Sequence, residues 1–485
     1  MKSELSEPKQ TPILKHGIVI LSLFFITTRI IIYLAGIRFD ASSLPWFYQY
    51  LDPLDLKSHL CQSLWYLHSQ PPGFNIFLGS VLKLANGNKL VVFKTIYLAI
   101  GFFMSLALYT LLKKLHMPKI IALLTSIFFA AIPPVLLFEN WLFYTYPIAF
   151  LLLVSGLVLS KYLDSHKWHY LFLFFLVISL IVMTRSLFHI LWFVILLIGI
   201  LIFQRRSTKK ILLCALFPFL MILSLYLKNF LLFDQTTLTS WSGMNLIKMT
   251  FTIPFEKLTT LIDNDEISEI AAITPFSKPG TYEKYANFDT TTAISVLDRK
   301  YKSTGYINFN HVGYISVSKK YYSVALHLIK KYPDYYCFSV AKAFYAYLKP
   351  CSDILITAVN DNRQKINLWV QFYEDYLLGN ILSRVWQKIY VNRFGQKRTI
   401  HFNFLYFFIP IVYVWGITLA FKGKKILNLS RNDLFLYKYF MFNIAYVTII
   451  GNFFEVSENM RFRFLILPFT YILIAAITKY IFKKK

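Results

Sequence analysis

Charged side chains stand at the ends of long apolar runs in four places along this chain: Arg29 with Asp40, Glu139, Arg185, and the run from Glu455 to Arg463. Charge at the edge of hydrocarbon is costly to desolvate, so each place calls for a reason. Asp40 directly follows the first apolar run, where a carboxylate can take a proton from a hydroxyl group, or cap a loop and pair with Arg38. Asp52 and Asp55, three apart, share one face of a helix and suit a second acid or a metal, and a solvated helix face explains them equally. Two carboxylates offer fewer oxygens than a hard cation takes, so no metal and no cofactor is expected. Glu139 and Asn140 end a further apolar run, where interfacial capping and catalysis both fit.

Donors for an anion or a sugar stand beside these acids. The string Leu67, His68, Ser69, Gln70, Pro71, Pro72, Gly73 joins polar side chains to residues that fix the backbone, a combination that can hold a hydroxyl or phosphate through His68 and Gln70. Arg185, in a tight Met183–Ser186 turn beside His189, could reach a phosphate from the opposite wall. Glu458, Arg461 and Arg463 bring one acid and two guanidinium groups to the start of the last apolar run. Guanidinium forks match phosphate oxygens and stay charged on burial; anchoring to lipid headgroups is the competing explanation. Asn245 and Lys248, after Trp241, Ser242 and Gly243, could also touch a ligand.

The elements that must position these residues are membrane helices. The 485 residues are 56% hydrophobic, which makes lipid the main solvent. Spanning hydrocarbon takes roughly 20 apolar residues. Runs of about that length fall at 16–36, 90–112, 119–138, 143–162, 169–185, 187–204, 211–231, 402–421, 434–453 and 464–482. The expectation is an all-α polytopic protein of about ten transmembrane helices. The first run is too long for a signal-peptide core and should remain as a helix. With the N-terminus in the cytoplasm, five basic clusters share one side: Lys113, Lys114 and Lys119; Lys161 and Lys167; Arg205, Arg206, Lys209 and Lys210; Lys422, Lys424 and Lys425; and Lys483 to Lys485. Two large segments then lie outside, 37–89 and 232–401, dividing the chain into an N-terminal module 1–231, the extracytoplasmic segment 232–401 and C-terminal helices 402–485.

In the first segment Trp46, Phe47, Tyr50, Leu51 and Leu54 recur at helical spacing and predict an interfacial amphipathic helix, capped by Ser42 or Ser43 with Pro45 in its first turn. Pro71 and Pro72 precede a short apolar stretch, 73–85, ended by Asn86, Gly87 and Asn88. In the second, 314–332 and 366–390 read as helical. The net charge of +27 punctuates the apolar runs instead of forming one stripe with stacking aromatics, which argues against nucleic acid. Cys337 and Cys351 are close enough in sequence for a disulfide or stay as thiols like Cys61 and Cys214; none has metal-type spacing.

Together these features resemble the GT-C superfamily of lipid-linked-sugar glycosyltransferases, which includes protein O-mannosyltransferases, aminoarabinose transferases and related bacterial enzymes. The resemblance rests on Asp40 after the first helix, on the loop that follows it, and on His68-Ser69-Gln70-Pro71-Pro72. A further part is Glu458-Asn459-Met460-Arg461-Phe462-Arg463 followed by Pro468. It covers the first 230 residues as architecture and local motifs beyond them. Many relatives carry an Asp-Glu pair where this chain has Asp40 and Ala41, so a second acid would come from Asp52, Asp55 or Glu139. The family implies an inverting transfer of a sugar from a polyprenyl-phosphate donor to an extracytoplasmic acceptor hydroxyl, in the inner (plasma) membrane. Asp40 would be the general base, and Arg185, Arg461 or Arg463 would stabilise the departing phosphate. A transporter or flippase of a lipid-linked glycan, and a glycan ligase or polymerase, are the alternatives; the former commonly shows internal repeats and broken helices, which are not visible here.

Overall fold

The computed structural model describes residues 16–85, 87–353, 357–379, 387–391, 397–401 and 404–484. Six helices are long and apolar enough to cross a membrane: Gly17–Leu34, Lys89–Lys114, Thr145–Ser165, Arg205–Phe233, Leu405–Leu427 and Arg431–Phe454. Lys119–Ala131 and Pro133–Glu139 make a seventh if the pair, bent by 55°, is one span. The bend follows from sequence: Ile132 is extended, as a residue preceding proline prefers, and Pro133 starts the next helix. The chain is therefore a polytopic α-helical membrane protein. The runs expected at 169–185 and 187–204 form helices of 15 and 14 residues, Trp168–Val182 and Ile190–Phe203. At about 1.5 Å per residue these fall short of a hydrocarbon core roughly 30 Å thick. The last run divides into Met460–Leu465 and Leu467–Lys484.

Basic residues from several parts of the chain meet at one end of the bundle. Lys114 Nζ lies 2.9 Å from Asp164, Lys210 donates to the His166 carbonyl, Arg431 to that of Phe203, and Lys479 to that of His116. Such bonds to C-terminal carbonyls suit the negative end of a helix dipole.

At the opposite end the two long segments interlock, and here the structure departs from expectation. Residues 42–51 are turns and irregular backbone, and helix begins only at Pro53, capped by Asp52. The backbone is spent on tertiary partners instead: the Phe47 carbonyl accepts from Lys302, and the Leu51 amide donates to Asn75 Oδ1. Phe47, Tyr50 and Leu51 are nevertheless buried, so their spacing reports packing against Trp141 and Phe143 and not helical geometry. The stretch after Pro72 forms Gly73–Leu84. Helix Gly313–Lys331 occupies the expected 314–332 and organises a second hydrophobic core with Trp241, Tyr282 and Tyr321. Of the piece expected as helix over 366–390, the described residues Asn367–Leu377 are helical, and Gln387–Val391 is instead a strand that pairs antiparallel with Lys397–His401. Asn86, residues 380–386 and Lys485 from the expectations above lie outside the described residues. All four cysteines are free thiols, Cys337 exposed and Cys351 buried.

Candidate functional site

A cavity of about 1260 Å³ opens where the two segments meet the bundle. Gln70, Arg185, Asn245, Lys248, Glu458 and Arg461 from the sequence-predicted set all line it. The fold brings them together by short, specific contacts. Gly73 donates to the Met183 carbonyl at 2.6 Å, tying the Pro71-Pro72 turn to the turn that bears Arg185, and a Cβ on Gly73 would lie 2.7 Å from that same oxygen. Gly243 lets Ser242–Leu246 lie directly on Gly313–Lys331, since a Cβ there would stand 1.9 Å from the Ser318 carbonyl oxygen. That contact presents Asn245 and Lys248 to the cavity.

Three cations form its floor. Arg185 lies over the rings of Tyr144 at 5.1 Å and Phe462 at 4.7 Å, Arg461 over Phe143 at 5.4 Å, and Lys248 over Phe276 at 4.8 Å. Aromatic faces hold these charges without neutralising them. Lys248 Nζ also donates to Asn245 Oδ1, and burial lowers its ammonium below the ordinary lysine range, with Glu455 opposing. Arg461 Nε is 3.1 Å from Glu458 Oε2. Even so, Nη1 of Arg185 and both Nε and Nη1 of Arg461 are buried and make no hydrogen bond among the described residues. The Nε contact of Arg461 is thus an ion pair without hydrogen-bond alignment. A buried donor left unsatisfied costs about 1–3 kcal/mol, and more when charged, so the floor is built for an acceptor that comes from outside the chain. Gln49 Oε1 is a buried acceptor on the same wall, also unbonded.

The walls differ in character. Gln235, Thr236, Thr237, Thr239 and Ser240 make one side polar, with the Lys319–Asp234 pair at 2.8 Å. Leu187, Leu191, Tyr446, Ile450 and Phe454 make the other side apolar, and Leu191 and Phe454 are more than half exposed at its margin. An amphiphile with an anionic group fits such a cleft.

The remaining predicted residues are not on its wall. Asp40 is half-buried; its amide donates to the Asn140 carbonyl, its own carbonyl accepts from Leu142, and its Oδ1 accepts from the Ser42 amide at 2.6 Å. Arg38 does not pair with it and donates to the Tyr33 and Ile37 carbonyls. Asp52 accepts from the Ser303 amide and hydroxyl, Asp55 from the Ser295 hydroxyl, and Arg299 lies 3.6 Å from both. These acids latch the first segment to the second, and no group of three or more His, Cys, Asp or Glu that could hold a metal occurs among the described residues. Glu139 is bound by Nε and Nη2 of Arg29, at 2.8 and 2.6 Å, and by the Tyr146 hydroxyl at 2.9 Å. Arg463 is buried and donates to the Tyr347 and Lys349 carbonyls.

His68 is buried beneath the cavity. Its Nε2 faces the Asn310 carbonyl, which can only accept, so Nε2 carries the proton and Nδ1 accepts from the Ser240 hydroxyl. Burial pulls its pKa from 6.5 to about 3. The unfolded state therefore binds the extra proton first, and the contribution of His68 to stability is flat above pH 6.5 and declines as pH falls from there toward 3. The slope is about 1.4 kcal/mol per pH unit. We expect the melting temperature to fall below pH 6 in the wild type and to fall less steeply in His68→Gln, measured by thermal unfolding in detergent; parallel curves would show that His68 does not set the acid limb.

Sequence reasoning missed Glu455 as an individual residue, together with Gln49, Tyr48 and Ser186 on the wall. Only Glu455 carried a signal, as the first charge of the run that ends at Arg463. No family model matches the chain, and no curated protein matches it.

Proposed function

We propose that this chain is a membrane glycosyltransferase of the GT-C kind, taking a sugar from a polyprenyl-phosphate donor and passing it to an acceptor hydroxyl. The observation that carries the proposal is the set of buried guanidinium nitrogens of Arg185 and Arg461 that lack acceptors on the floor of a cleft with one apolar wall. The donor's phosphodiester, and the phosphate monoester it becomes as the sugar leaves, satisfy those nitrogens in fork geometry. The prenyl tail lies along Leu187, Leu191, Ile450 and Phe454 toward lipid. Gln49 Oε1 and the Thr-rich wall supply partners for sugar hydroxyls.

In this reading the chain crosses the membrane ten times, the basic end faces the cytoplasm, and the cleft opens extracytoplasmically at the inner (plasma) membrane. The two short helices then cross with the help of their flanking turns and local thinning of the bilayer. Displacement proceeds in one step: the acceptor oxygen attacks the anomeric carbon, the bond to phosphate breaks, and Arg185, Arg461 and Lys248 receive the charge that develops on the leaving oxygen. Asp40 is the carboxylate that the family resemblance assigns to the acceptor proton.

The test is consumption of undecaprenyl-phosphate monosaccharides by the protein in nanodiscs, with release of undecaprenyl phosphate as the readout. Release dependent on an added acceptor is the expected result. Movement of labelled lipid between leaflets without consumption would replace transfer by flipping.

A further inference from the structure

Of the carboxylates singled out along this chain, Glu455 alone both faces the cleft and is free of a fixed partner. Asp234 is held by Lys319 and Glu458 lies against Arg461. Asp52, Asp55 and Glu139 are taken by partners away from the cleft, and Asp40 Oδ1 is taken by the Ser42 amide. The Glu455 carboxylate is half-buried and makes no hydrogen bond or ion pair among the described residues, although its charge acts on Arg185, Lys248, Arg461 and Tyr48.

Its backbone is held firmly. Helix Arg431–Phe454 ends at Glu455, which is extended, and the following turn closes on Asn459. The Asn459 side chain, wholly buried, donates to the Gly451 and Glu455 carbonyls and to Asn452 Oδ1, and accepts from the Ser457 amide. A side chain with no structural partner, on a backbone fixed this tightly and beside the anion site, has the properties of a proton acceptor.

We propose that Glu455 is a catalytic residue of this site, the base that takes the acceptor proton. The inference rests on the transfer proposed above and reassigns its base from Asp40. The acceptor O–H proton passes to the Glu455 carboxylate as the new C–O bond forms at the anomeric carbon. The C–O bond to phosphate breaks with its electron pair, polyprenyl phosphate leaves as the anion on Arg185 and Arg461, and protonated Glu455 returns its proton to water.

The experiment compares the wild type, Glu455→Gln, Glu455→Ala and Arg461→Ala in nanodiscs for undecaprenyl phosphate binding, followed by Trp fluorescence, and for turnover of undecaprenyl-phosphate hexoses. Glu455→Gln is expected to lose about 10²–10⁴-fold in kcat. It should bind undecaprenyl phosphate as tightly as the wild type or more tightly, because an anion beside the phosphate has been removed. Formate should restore part of the turnover of Glu455→Ala, which loses no structural bond. Wild-type kcat in Glu455→Gln, or loss of binding in it parallel to Arg461→Ala, overturns the assignment while leaving the transfer intact. A wild type that neither binds undecaprenyl phosphate nor consumes its hexose conjugates removes the transfer, and the inference falls with it.

Discussion

Arg461→Ala is expected to lower donor turnover by about 10²–10³-fold, the usual consequence of removing one preorganised donor from a site where negative charge develops. The guanidinium stands over Phe143 with Nη1 unbonded, so its removal takes away a contact to the proposed phosphate and little of the fold. It also removes the positive charge that offsets Glu458, whose carboxylate then repels the incoming phosphate more strongly. The double variant Arg461→Ala/Glu458→Gln should therefore recover part of the binding lost in the single one. Arg461→Lys should restore charge and little turnover, because an ammonium is a point charge and cannot present a planar fork. Arg463→Ala provides the contrast. It should lower stability by releasing the Tyr347 and Lys349 carbonyls and leave affinity for undecaprenyl phosphate in the folded fraction unchanged. Turnover of Arg461→Ala close to that of the wild type would remove this guanidinium from the anion site.

The split between Arg461 and Arg463 shows what spacing can and cannot tell. Two residues apart on a helix are about 200° apart around its axis, so in Met460–Leu465 one guanidinium meets the cleft and the other turns inward. The sequence marks both as guanidinium groups at a membrane edge, and which of them faces the cleft depends on how the helix docks. The acids follow the same logic more severely. The partners that occupy them lie far away in the chain: Arg29 for Glu139, separated by 110 residues, Ser303 for Asp52, by 251, and Ser295 for Asp55, by 240. No local pattern reveals such partners. The apolar runs were legible because a bilayer imposes length on them, and Gln70, Arg185, Asn245, Lys248, Glu458 and Arg461 were legible because charged or polar groups beside such runs are costly without a use. The stretch 42–51 was misread because residues at helical spacing can be buried by tertiary packing alone, without a helix to carry them.

Glu139→Ala should be the most destabilising single change, by about 3–5 kcal/mol, because it leaves the buried Arg29 guanidinium without its counter-ion. Arg29 sits in helix Gly17–Leu34 and Glu139 ends the bent pair, so their two-pronged bond fastens the first span to the bend. Arg29 would keep only its contacts to the Ala130 carbonyl, the Thr28 hydroxyl and the Phe25 ring. Hydrocarbon offers no water to replace the lost carboxylate, which is why the loss exceeds that of a surface pair. Replacing both residues by leucine should recover most of the stability, since a buried pair is worth little against well-packed apolar side chains while a lone charge is costly. Thermal unfolding in detergent of the two single variants and the double one measures this directly. Equal melting of Glu139→Ala and the wild type would mean that water reaches Arg29. A Glu139→Gln variant that folds normally yet loses donor turnover would return this acid to the candidates for a second catalytic carboxylate, beside Asp52 and Asp55.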